Sequence, residues 1–114
     1  MKKNMSEDAI QQVSNVLKAM ADPMRLRILH SIYDGELSVT AIIDAVGGSQ
    51  ANVSRHLAVL RRAGLVECRR EGLNAFYGIA DPQVFTICES VCNSIGERLG
   101  RELEQVQSAT DNRG

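Results

Sequence analysis

No stretch of this 114-residue chain approaches the ~18 consecutive apolar residues that a membrane-crossing helix needs. The leading MKKNMSEDAI turns acidic after two lysines and has no apolar signal core behind it, which predicts a cytoplasmic protein with no membrane partner. Cysteine is scarce and odd in number, three in all, which argues against a disulfide framework. The chain carries no paired carboxylates and no Ser-His-Asp set. Gly47-Gly48 lacks the following Lys-Ser/Thr of a phosphate loop, so an enzyme is the weakest reading. There is no internal repeat and no low-complexity segment. A net charge of −1 excludes a uniformly basic nucleic-acid binder.

What is present is local. Between Ser49 and Asn74, Arg55, Arg61, Arg62, Arg69 and Arg70 stand against Glu67 and Glu71. Five minus two gives +3, so the remainder sums to −4. A cationic patch on a near-neutral body is the footprint of phosphate contact. The length predicts one domain, residues 6–107, between a disordered start (1–5) and a disordered tail (108–114). A single core of this size is modest, which favours a homodimer.

Spacing and punctuation predict the elements. Ser6 caps a first helix to about Ala21, with Ile10, Val13, Leu17 and Met20 on one stripe. Asp22-Pro23 restarts a second helix that buries Met24, Leu26, Ile28, Leu29 and Ile32. Ser38 caps VTAIIDAV, Gly47-Gly48 breaks it, and Ser49 caps QANVSRHLAVLRRA, which Gly64 ends. LVECRR and AFYGIA form a hairpin with Gly72 near its tip, and Asp81-Pro82 starts a last helix to about Gln107. The fold class is therefore mainly α with a β-hairpin wing: a winged helix-turn-helix of five helices and a two-stranded wing.

That order has a geometric use. A helix fits the major groove and its N-terminal residues reach base edges. Here that end offers Ser49, Gln50, Asn52, Ser54, Arg55 and His56, with Val53, Leu57 and Leu60 facing inward. Gln and Asn pair bidentately with adenine, and Arg with guanine. Arg69, Arg70 and Asn74 on the wing reach the neighbouring backbone or minor groove. Double-stranded DNA is the predicted partner, and DNA binding requires no cofactor.

LKAMADPMRLRIL, ELSVTAIIDAVGGSQANVSRHLAVLRRAGLV and RREGLNAFYGI together resemble the ArsR/SmtB family of winged-helix repressors, over about residues 10 to 100. The resemblance implies a homodimeric repressor that binds an imperfect inverted repeat and leaves it when an inducer binds. Many relatives carry Glu-Leu-Cys-Val-Cys where this chain has ELSVT, so Ser38 and Thr40 replace two metal-binding thiolates. Others bind zinc through a histidine of the last helix, which this helix lacks. Of the two histidines, His30 reads as a partly buried packing residue and His56 as a DNA contact.

Cys88 and Cys92 lie four apart on the last helix. On a helical wheel they share one apolar third with Val84, Val91, Ile95, Leu99, Leu103 and Val106. With Ile10, Val13 and Leu17 of the first helix, Val84, Cys88, Val91, Cys92, Ile95 and Leu99 make a two-fold dimer seam. Three readings stay open. The cysteines bind a soft metal or metalloid ion (arsenite, antimonite, cadmium or lead), they react with oxidants or reactive sulfur, or they only pack. Cys68, in the first wing strand, completes a thiolate set only if the hairpin base approaches the last helix.

Overall fold

The computed structural model describes residues 4–111, with side chains as far as Glu102. Residues 1–3 of the expected disordered start, 112–114 of the expected tail, and the side chains of Leu103 and Val106 lie outside the described residues. The chain divides after Asp81 into two compact units.

In the first unit each helix begins at a side-chain cap. The hydroxyl of Ser6 accepts from the Ala9 amide at 3.1 Å and opens α1 (Glu7–Met20). Asp22 opens α2 (Pro23–Ser31), accepting from the Met24 and Arg25 amides at 2.9 and 3.1 Å. The Arg25 amide, ahead of the Met24 amide, holds this carboxyl below the usual range. Ser38 opens α3 (Val39–Val46) and Ser49 opens α4 (Gln50–Arg62) by the same three-residue reach. Between α3 and α4, Gly47 and Gly48 take φ of 81° and 91°, values that only glycine adopts without a Cβ penalty.

The wing is β2 (Val66–Glu71) and β3 (Asn74–Ile79), antiparallel, with Glu71 opposite Asn74 across a two-residue loop. Gly72 takes a φ of 61° there, and Leu73, its neighbour, is fully exposed. The expected two-stranded sheet has a third strand. β1 (Leu37–Ser38) pairs with β3, Leu37 opposite Tyr77 and Ser38 opposite Phe76, in the order β1-β3-β2. Ser38 is a helix cap, and a cap residue sits in the extended region (φ −67°, ψ 160°), so the backbone entering α3 is already a strand. Two residues are too few to show the alternation by which strands are recognised.

Ile28, Leu29, Ile32, Ile42, Val53, Leu57 and Leu60 are fully buried, with Leu65 and Val66 beside them. The second helix departs from expectation at three places. Leu26 is 37% exposed and His30 is exposed, while Met24 is half-buried. Two residues along a helix turn by ~200°, so Leu26 and His30 stand on the side opposite Ile28. The second unit holds α5 (Gln83–Asp111), whose backbone continues past the expected end at Gln107. Among the described residues no helix is long and apolar enough to cross a membrane.

Candidate nucleic-acid interface

α4 is amphipathic in a functional sense. Val53, Leu57 and Leu60 are buried completely, which fixes the rotation of the helix about its axis. The opposite face exposes Gln50, Ala51, Ser54, Arg55, Ala58, Arg61 and Arg62, and no carboxylate occurs from Ser49 to Val66. Ser49 is exposed, but its hydroxyl is engaged as the cap. Asn52 is half-buried, and its Oδ1 accepts from Nη2 of Arg55 at 2.6 Å. Arg55 and Asn52 are thus presented as a hydrogen-bonded pair. Arg61 and Arg62, read from the sequence only as part of the patch charge, lie on this same face.

His56 stands apart from these residues. It is 6% exposed, and its Nδ1 lies 3.1 Å from Nη1 of Arg25. A guanidinium only donates, so Nδ1 accepts and the ring proton sits on Nε2. The same guanidinium donates from Nε to the Ala19 carbonyl and from Nη2 to the Lys18 carbonyl, at 2.5 and 3.2 Å. The expected DNA contact is corrected accordingly: the His56 side chain faces α2 and the end of α1. His56→Ala is expected to cost about 1–3 kcal/mol of folding stability by stranding its partner. Denaturant unfolding checks this, and the salt dependence of DNA binding should stay as in the wild type.

On the wing, Arg70 and Asn74 are exposed near the tip. Arg69, expected on DNA, is engaged inside the protein instead. It donates to Glu36 and to Glu71 and lies over the Phe76 ring. Those partners hold its guanidinium firmly charged, Glu36 first, and Arg69 in turn keeps the Glu36 carboxyl below its usual range. Cys68 is half-buried and faces Tyr77 across the ladder. Burial first, then the Cys68 side chain, pushes the Tyr77 phenol up.

Ser38 and Thr40, at the thiolate positions of many relatives, do other work or none: Ser38 caps α3, and Thr40 is exposed. In the second unit Cys88 is half-buried and Cys92 exposed, both as free thiols. Among the described residues no three His, Cys, Asp or Glu side chains cluster to hold a metal ion.

A capped helix, a glycine turn, a cationic helix with one apolar face, and a hairpin packed beside it define a winged helix-turn-helix DNA-binding protein. A helix-turn-helix domain family matches residues 20–69. The chain is 37% identical over 93 residues to the transcriptional repressor SmtB homolog of Synechocystis sp., covering 82% of this chain and 70% of that protein. It is 40% identical over 97 residues to the HTH-type transcriptional regulator NmtR of Mycobacterium tuberculosis, covering 84% and 81%. The homodimeric winged helix-turn-helix DNA-binding domain of Mb0332 from Mycobacterium bovis superposes with a TM-score of 0.72 at 35% identity, over 86% of this chain and 95% of that one. The chain belongs to the ArsR/SmtB family of winged-helix transcriptional repressors.

Proposed function

We propose that this repressor works as a homodimer on an inverted-repeat operator, and that a thiol-reactive inducer engaging Cys88 and Cys92 releases it. The observation that carries operator reading is the acid-free outer face of α4. In this reading Gln50, Asn52, Ser54 and Arg55 would meet bases, and Arg70 and Asn74 on the wing would meet the DNA backbone. Dimerisation is supported by two uncovered apolar stripes. Ile10, Val13 and Leu17 of α1 are 44–46% exposed, and Val91, Ile95 and Leu99 of α5 are exposed as well. Stripes of this kind are what a second copy would cover.

The thiols support two occupants differently. Cys88 and Cys92, at i and i+4, share a helix face about 6 Å apart at Cβ. Two thiolates are one short of a three-coordinate metalloid, so a soft ion would also need Cys68 or thiolates of the partner subunit. Oxidation or reactive sulfur needs no third thiolate. An unstrained disulfide does not fit within one helix at this spacing, so oxidation would link subunits or distort α5. Burial pushes the Cys88 thiol up, so either inducer must displace its proton. Inducer potency is therefore expected to rise with pH.

The test is fluorescence anisotropy of the reduced protein on its own upstream promoter DNA, titrated with arsenite, antimonite, cadmium, lead and an organic polysulfide. Release by one of them, lost in Cys88→Ser/Cys92→Ser while dimer and affinity persist, is expected. Release that persists in the double variant removes the thiols from sensing. A double variant that falls to monomer makes them packing residues.

A further inference from the structure

We propose that Glu36 is a positioning residue for the wing, and that Arg69 acts on operator binding through this carboxylate and not by touching phosphate. The inference rests on operator binding through α4 and the wing. Every nitrogen of the Arg69 guanidinium is engaged. Nε donates to Oε1 and Oε2 of Glu36 at 3.0 and 3.3 Å, Nη2 to Oε1 at 2.5 Å, and Nη1 to Oε2 of Glu71 at 2.7 Å. Its central carbon lies over the Phe76 ring, 4.8 Å from the centroid. One guanidinium between two carboxylates sums to −1, a charge that repels phosphate. Only the second hydrogens of Nη1 and Nη2 remain, and swinging the guanidinium out to phosphate would break a bidentate pair, the strong form of this contact.

The clamp crosses the whole sheet. Glu36 directly precedes β1, Phe76 is on β3, and Arg69 and Glu71 are on β2, with Arg69 opposite Phe76 in the register. Gly78 makes the crossing short. A Cβ there would lie 3.4 Å from the Glu36 Cβ, so the bare backbone of β3 lets Glu36 lie across it. β1 runs straight into α3, the first helix of the DNA-binding pair. Glu36 and Arg69 thereby fix the wing to the helix-turn-helix. Pairs this exposed contribute little to stability, so their effect falls on where the wing carries Arg70 and Asn74. Alternate residues of a strand face opposite ways, which sets Arg70 on the other side from the clamp.

The experiment measures affinity for upstream promoter DNA over a range of salt, together with backbone NMR order parameters of the free protein. Glu36→Gln and Arg69→Gln are each expected to weaken binding about three- to tenfold. The salt slope should be unchanged and the double variant no weaker than either single one. The charge swap Glu36→Arg/Arg69→Glu, made with Glu71→Gln so that no carboxylate faces the new one, should recover most of the affinity. Arg70→Gln, by contrast, should lower the salt slope by about 1. Order parameters around Asn74 should fall in Glu36→Gln and hold in Arg70→Gln. Tighter binding by Glu36→Gln, or a slope lowered by about 1 in Arg69→Gln with no rescue by the swap, overturns the proposal. So do equal wing order parameters in Glu36→Gln and wild type. A wild-type protein that binds no such DNA defeats the operator reading alone, since the order parameters still decide the clamp.

Discussion

Leu57→Ala is expected to lower the unfolding free energy by about 2–5 kcal/mol. Leu57 is 0% exposed at the middle of α4, with Val53 one turn before it and Leu60 one turn after, both equally buried. Truncation removes transfer energy and leaves a cavity beneath α4. The helix is capped at Ser49 and ends at Arg62, so it has little room to slide and refill the space. A domain of this size has roughly 5–15 kcal/mol in total, so the loss is a large share. Urea unfolding of both proteins measures it. A change below about 1 kcal/mol would mean that the core collapses onto the site, and that this face does not set the helix rotation.

Arg55→Ala should cost about 1–3 kcal/mol of operator affinity, roughly five- to 150-fold, and relax preference at one base pair. Arg55 is exposed on the acid-free face, one turn from the start of α4, and its Nη2 is already bonded to Asn52 Oδ1. That bond keeps the guanidinium from sweeping freely, so part of its ordering cost is met before DNA arrives. Competition binding with operators altered one base pair at a time reads both effects. A uniform loss across all sequences with a smaller salt slope would instead make Arg55 a phosphate contact. Unchanged affinity would remove it from the reading set.

The parts of this protein that were legible in sequence are those whose chemistry is local. Ser6, Asp22, Ser38 and Ser49 each bond a backbone amide two or three residues ahead, so the residue type and the next few positions suffice. The inward positions of α4 followed from period alone. What the sequence hid depends on distant partners. His56 is turned inward by Arg25, 31 residues away, and Arg69 is drawn off by Glu36, 33 residues away. Neither pairing has a spacing rule. Arg25 was visible only inside LKAMADPMRLRIL, one of the stretches that carry the family resemblance. β1 was hidden because two residues carry no pattern, and Leu26 because Met24, Leu26, Ile28 and Leu29 fall on both sides of a nine-residue helix, so spacing does not say which side faces out.

Arg25 has a mechanical consequence. One guanidinium rivets the last carbonyls of α1, the start of α2 and the buried ring of α4. A load applied to the end of α1 is handed to α4 through two hydrogen-bond steps, without first deforming the apolar core between them.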